Sequence, residues 1–196
     1  MTDISITICG DGGCEDSYSA TRTVDGLPYF LSITDTAGQE EYRGLWTKST
    51  LQSDAFLLIY DMTNPKSLDT LNPFMELIHT EAEQRIESNQ RIRKELGDEC
   101  VGVEMGMPPP VIIVAGNKCD LKNERVVTSR DGLEYARKNN CGFLETSARE
   151  MVNIEETFAC GLYPLLSLSL SLLSLVLAYV DEKKEEKQDS GSGLMG

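Results

Sequence analysis

Basic residues are what this sequence is short of. Lys and Arg number 18 against 32 Asp and Glu, a formal net charge of −14 over 196 residues. Such a chain repels a phosphate backbone instead of neutralising it, which argues against nucleic acid as a partner. It argues equally against a polybasic patch for anionic lipid. There is a single histidine, and the six cysteines (Cys9, Cys14, Cys100, Cys119, Cys141, Cys160) include no C-x-x-C pair and no histidine at metal spacing. Zinc sites built on those spacings are therefore not expected. Nothing at the N-terminus reads as a signal peptide, so the expected setting is a reducing cytosol with free thiols. Cys9 and Cys119, in or beside apolar runs, are expected to be buried structural thiols. The length suits one domain plus a tail, with room for a substantial core.

What is present is an alternation of strand-like and helix-like stretches. Ile4 to Cys9 alternates with period two and is rich in β-branched residues, the pattern of a strand. Gly10-Asp11-Gly12-Gly13 breaks it. Ser17 to Val24 and Leu27 to Thr34 flank Asp25-Gly26, a strong hairpin signal. Glu40 to Ser53 predicts a helix and Ala55 to Tyr60 a strand buried on both faces. Pro65 can open the next helix at its first turn, continuing to Arg93 or Leu96. Gly97 to Pro110 is a loop, and Val111 to Ala115 another buried strand. A helix from Thr128 or Ser129 stops near Asn139-Asn140, and Gly142 to Leu144 is a short strand. Asn153 with Glu156 has capping-box spacing and should begin a further helix. Strands alternating with helices predict a doubly wound α/β sheet, with ligands at the carboxyl ends of its strands.

The chemistry-bearing stretches fall at those ends. Asp35-Thr36-Ala37-Gly38-Gln39-Glu40-Glu41-Tyr42 puts an acid at a strand end, then a glycine whose N–H can approach a ligand, then a glutamine. An acid for Mg²⁺ and a glutamine for the attacking water suit a nucleoside triphosphatase. After the Val111 strand comes Asn117-Lys118-Cys119-Asp120. The Asp120 carboxylate can accept two N–H bonds from a guanine edge, which adenine does not offer in the same place. The Lys118 stem can lie over a base, and Asn117 can tie neighbouring loops. A polar strand-to-helix turn is the plainer reading of that tetrapeptide taken alone. Glu145-Thr146-Ser147-Ala148-Arg149 follows the last strand, in order to finish the same pocket.

Together these stretches resemble the Ras family of small GTPases over most of residues 1 to 158. D-T-A-G-Q-E-E-Y matches the family's second switch residue for residue, N-K-C-D its base-reading motif, and E-T-S-A-R its E-T-S-A-K with Arg149 in place of lysine. The resemblance implies a small G domain: a mixed, mostly parallel six-stranded sheet with helices on both faces. It also implies GTP and GDP with Mg²⁺ as ligands, GTP hydrolysis in signal transduction, and effector, exchange-factor and GAP proteins as partners. By the same resemblance Gln39 orients water, Gly38 senses the γ-phosphate, and Asp35 holds Mg²⁺ through water. Asn117, Lys118 and Asp120 select guanine, braced by Ser147, the Ala148 amide and Arg149.

The family's phosphate loop, G-x-x-x-x-G-K-[ST], is not reproduced. Gly10, Asp11, Gly12 and Gly13 begin it, but Cys14-Glu15-Asp16-Ser17 follows. In that register Ser17 falls at the Mg²⁺-binding hydroxyl, while Glu15 and Asp16 take the glycine and lysine places. A second alignment matches Glu15-Asp16-Ser17-Tyr18 to the E-D-S-Y that closes the family's first switch. The rest of the loop, the first helix and the first-switch threonine would then be missing. Spacing agrees, because a βαβ unit takes ~30 residues and the hairpin uses most of those between Gly10 and Asp35. At roughly 25 cal/mol per Å², loss of that helix forfeits several kcal/mol, so weak nucleotide affinity, impaired catalysis and low stability are expected.

Residues 1–160 are thus read as an incomplete small G domain, 161–180 as an apolar Ser/Leu-rich segment and 181–196 as a polar disordered tail. The last cysteine is Cys160, so no prenylation motif is indicated. Gly161 to Val180 has the ~20-residue length of a membrane span, which would place the chain on the cytoplasmic face of a membrane. A modified final helix packed on the sheet and plain low-complexity sequence remain open. Three functions compete: a GTP-hydrolysing switch, a nucleotide-impaired Ras-like binding module, and an aberrant splice or gene-model product.

Overall fold

The computed structural model describes residues 2–10, 16–24, 27–36, 48–96, 106–147 and 149–150. The expected helix start at Asn153, the apolar segment and the polar tail lie outside them. Six strands form one sheet: β1 (Thr2–Gly10), β2 (Asp16–Val24), β3 (Leu27–Asp35), β4 (Ala55–Asp61), β5 (Val111–Asn117) and β6 (Gly142–Glu145). Their spatial order is β2-β3-β1-β4-β5-β6. Only β2 and β3 are antiparallel; every other neighbouring pair is parallel. This is the mixed, mostly parallel six-stranded sheet expected.

The hairpin is as the Asp25-Gly26 signal requires. Val24 pairs with Leu27, a two-residue connection that sets the whole β2–β3 register. From β1 to β2 there are only residues 11–15, five in all. Because β2 lies beyond β3, that link spans two strand spacings, ~10 Å, within reach of a chain of that length. A helix does not fit, as the spacing predicted.

Helices α1 (Lys48–Leu51), α2 (Asn72–Leu96) and α3 (Ser129–Lys138) complete the described elements. Of the helix expected over Glu40–Ser53, residues 40–47 lie outside the described residues, and α1 supplies its end. The helix expected from Pro65 begins instead at Asn72, after a 3-10 turn over Asp69–Leu71. Side-chain bonding explains the delay: Ser67 Oγ donates to the carbonyls of Asp61 (2.6 Å) and Asn64 (2.8 Å), and Asn64 Oδ1 accepts from the Lys66 amide (3.1 Å). These bonds hold residues 61–67 in turns that compete with a helical ladder. Pro73 then occupies the first turn, where its missing N–H costs nothing. Helix α3 starts as expected, with Thr128 and Asp131 forming a reciprocal capping box.

Both described long helices pack on one face of the sheet. Phe74, Met75 and Ile78 of α2 and Ala136 of α3 join Phe56, Leu58 and Tyr60 of β4 in one buried cluster that also contains Cys9. Arg85, 4 % exposed, anchors α2 from within: it donates to the carbonyls of Leu51 (2.7 Å), Ser53 (3.1 Å) and Pro108 (3.2 Å) and to Glu81 (2.9 Å). A second cluster, on strand side chains, lies apart from it. Among the described residues no helix is long and apolar enough to cross a membrane.

Candidate functional site

Parallel strands end together, so the sheet delivers Gly10, Asp35, Asp61, Asn117 and Glu145 to one edge. Gly10 closes β1 opposite Ile59, and a Cβ there would lie 2.6 Å from the Ile59 carbonyl oxygen. Only glycine lets β1 run this close to β4 at the start of the loop. Asp35 closes β3, with Ile8 of β1 on one side and Asp16 of β2 on the other. Thr36, buried just beyond, is fastened by its hydroxyl to the Ile8 carbonyl at 2.8 Å.

The base-reading half of the edge is held by bonds between two loops. Asn117 ends β5 beside Asp61 and is 9 % exposed. Its side-chain oxygen accepts the Lys118 amide at 2.8 Å, and its carbonyl accepts the Met62 amide at 3.1 Å. Lys118 adopts φ 69°, the left-handed region, which turns the chain sharply out of the strand. The Cys119 amide bonds the Thr146 carbonyl (3.0 Å), and the Thr146 amide bonds the Gly116 carbonyl (2.7 Å). Ser147, fully buried, then donates its hydroxyl to Asp120 Oδ1 at 2.6 Å and accepts the Glu150 amide at 3.1 Å. One Asp120 oxygen is thus steadied from below, a charge-assisted bond that orients the carboxylate. Arg149 is exposed beside this turn.

Two ion pairs flank the pocket that motif reading did not name. Lys118 Nζ lies 2.6 Å from Asp61 Oδ2. Burial raises the Asp61 pKa, but hydrogen bonds from Lys118 and Thr63 outweigh it and hold the carboxyl below its ordinary value. Arg125 grips Glu145 with two bonds, 2.6 and 3.0 Å. Burial again opposes ionisation of Glu145, and the bonds from Arg125 and Ser129 again prevail to lower its pKa. An acid at the end of an apolar strand, as in Tyr60-Asp61, was the available signal for the first pair; nothing local marks the second. Burial, reinforced by Asp120 and Glu145, raises the Cys119 pKa, so this thiol stays protonated. Burial raises that of Cys9 too. Cys9 is buried as expected, whereas Cys119 is only half-buried.

The phosphate half is different. Asp11, Gly12, Gly13, Gly38, Gln39 and Ala148 lie outside the described residues. Ser17 stands in β2, paired with Thr34, which fits the alignment to E-D-S-Y better than a place in a phosphate loop. In the same register Asp16 is the ladder partner of Asp35. No Lys or Arg precedes Arg22 in the chain. Among the described residues no group of three His, Cys, Asp or Glu could hold a metal ion. The described polar groups at this edge are thus chiefly those of the base-reading motifs, Asn117, Lys118, Asp120 and Ser147.

A family model for the Ras family matches residues 11–163. Among curated proteins, the chain is similar to Ras-like protein 1 of Saccharomyces cerevisiae, 36 % identical over 148 residues. That alignment covers 76 % of this chain and 40 % of the relative, so the chain spans about two fifths of that protein's length.

Proposed function

The chain belongs to the Ras family of small GTPases, and on that premise we propose that it binds guanine nucleotides through the base, with a weak grip on the phosphates. The observation that carries this is the Ser147–Asp120 bond, which fixes a carboxylate at the strand ends where a guanine edge can be read. Asp120 accepts the two guanine N–H groups, Asn117 joins the loops, and Lys118 lies over the base. A pocket built to pair with those N–H groups rejects adenine because its carboxylate would be left unpaired. The role in signalling is that of the family, with effectors, exchange factors and GAPs as partners. GTP hydrolysis, with Gln39 orienting water, is slow in this chain because the phosphate loop has no lysine of its own to offset the phosphate charge.

Titration calorimetry of the full chain with GDP, guanosine and ADP tests the proposal. GDP and guanosine should bind with affinities within about tenfold of each other, a difference of about 1.4 kcal/mol, and ADP should not register. GDP binding far tighter than guanosine would show a working phosphate grip and overturn the reading. The five-residue β1–β2 link supports one further reading, a module that engages its partners irrespective of nucleotide. An effector pull-down in GDP, GTP and nucleotide-free buffer separates the two, since a switch discriminates among them and a module does not.

A further inference from the structure

The turn that delays α2 also aims a carboxylate at the base-reading loop. Asp61, the last residue of β4, stands in register beside Asn117 of β5. Its amide donates to Ser67 Oγ at 3.1 Å, and its carbonyl accepts from the same hydroxyl at 2.6 Å. The carboxylate is divided between two tasks. Oδ1 accepts the Thr63 amide (2.8 Å) and hydroxyl (2.7 Å), while Oδ2 lies 2.6 Å from Lys118 Nζ. One oxygen orients the group, and the other is left for the lysine.

Lys118 is fixed from its own side as well. Its backbone sits in the left-handed region at φ 69°, and its amide donates to Asn117 Oδ1 at 2.8 Å. With the ammonium on Asp61, the flexible four-carbon stem is held at both ends. Folding stability is a weak reason for such a pair. The Lys118 side chain is 48 % exposed and that of Asp61 25 %, and ion pairs so open to water add only modestly to stability.

We infer that Asp61 is a positioning residue of the guanine pocket, holding the Lys118 ammonium so that the stem is in place before the base arrives. The inference rests on the reading of Lys118 as the residue that lies over the base. Ordering a rotamer-rich side chain during binding subtracts from affinity, and a side chain ordered beforehand avoids that loss. The charge of Lys118 is answered by Asp61 at the same time, in keeping with a site that grips the base better than the phosphates.

Asp61→Asn in the full chain tests this, because the amide keeps an oxygen for Thr63 and loses the charge that holds Lys118. In titration calorimetry, guanosine and GDP should both bind about 3- to 10-fold more weakly. Lys118→Met keeps an unbranched stem with no ammonium to hold, and in that background Asp61→Asn should change neither affinity. A merely structural role for Asp61 would weaken binding equally in both backgrounds, and that outcome overturns the inference. So does GDP binding tightened by Asp61→Asn, which would show an ammonium withheld from phosphate and not one set for the base. Salt provides a measurement that leaves Asp61 intact. Guanosine is uncharged, so raising NaCl from about 0.02 to about 0.5 M, which shortens the Debye length from roughly 20 to roughly 4 Å, should weaken its binding to the parent about twofold or more. Lys118→Met should not respond; equal salt dependence in the two overturns the inference. A parent that binds neither ligand overturns the pocket reading and this inference with it. A parent that binds guanosine but is indifferent to Asp61→Asn overturns this inference alone.

Discussion

Removing the Arg85 side chain should cost as much as truncating an apolar core residue of α2. The guanidinium is 4 % exposed and reaches three carbonyls from two separate loops, at Leu51, Ser53 and Pro108, besides Glu81 one helical turn back. Each bond to a charged donor is worth about 1.5–3 kcal/mol, and the values do not add because the bonds share one group. Truncation also leaves the carbonyls short of a donor, and breaking buried charge arrangements of this kind costs about 3–5 kcal/mol. In a chain of this size each kcal/mol moves the melting temperature by about 2–4 °C, so Arg85→Ala should lower it by about 6–20 °C. Glu81→Gln keeps a side-chain oxygen to accept from Arg85 Nε and should cost less than Arg85→Ala. Arg85→Lys should fall between the two, because an ammonium cannot span the three acceptors with a planar fork. Circular dichroism melts of the three variants at matched concentration provide the readout. If Arg85→Ala melts within about 2 °C of the parent, the loops are held by something else and the reasoning fails.

Other expectations follow from the site and the sheet. Ser147→Ala removes the donor that steadies Asp120, and GDP affinity measured by calorimetry should fall about 5- to 12-fold for a bond of about 1–1.5 kcal/mol. Gly10→Ala drives a Cβ against the Ile59 carbonyl on a paired strand, and should lower stability in urea by about 1–3 kcal/mol; a neutral outcome would contradict the close β1–β4 approach. Asp61 and Glu145 both have folded pKa values below their ordinary 3.8 and 4.5. The stability they contribute is present above those ordinary values and is lost as pH falls through the lower folded ones. Urea midpoints should therefore drop between pH 5 and pH 3, and that drop should shrink in Asp61→Asn combined with Glu145→Gln.

Motif reading located the base pocket, but the partners of its charged groups emerged only from the fold. Asn117, Lys118, Asp120 and Ser147 could be picked out because their residue types follow apolar strands at short, fixed intervals. Asp61 could not be assigned to Lys118, fifty-seven positions away, because nothing in the intervening chain says that β4 and β5 are neighbours. The same applies to Arg125 and Glu145. The start of α2 was misplaced for a local reason: Pro65 is compatible with a first helical turn, but Ser67 and Asn64 find better hydrogen bonds in a turn.

The sequence by itself determined which stretches are strands, since unbroken runs such as Ala55 to Tyr60 can only be satisfied when buried on both sides. It determined the hairpin, because Asp25-Gly26 allows a two-residue turn, and the missing helix, because five residues cannot form one and still cross β3. It also determined that the first loop carries no lysine or arginine of its own. Tertiary structure alone decided that Asp16 pairs in register with Asp35, that Asp61 holds Lys118 and that Ser147 steadies Asp120. Those outcomes depend on strand order and register, which are set when the whole sheet pairs and not by any window of neighbouring residues.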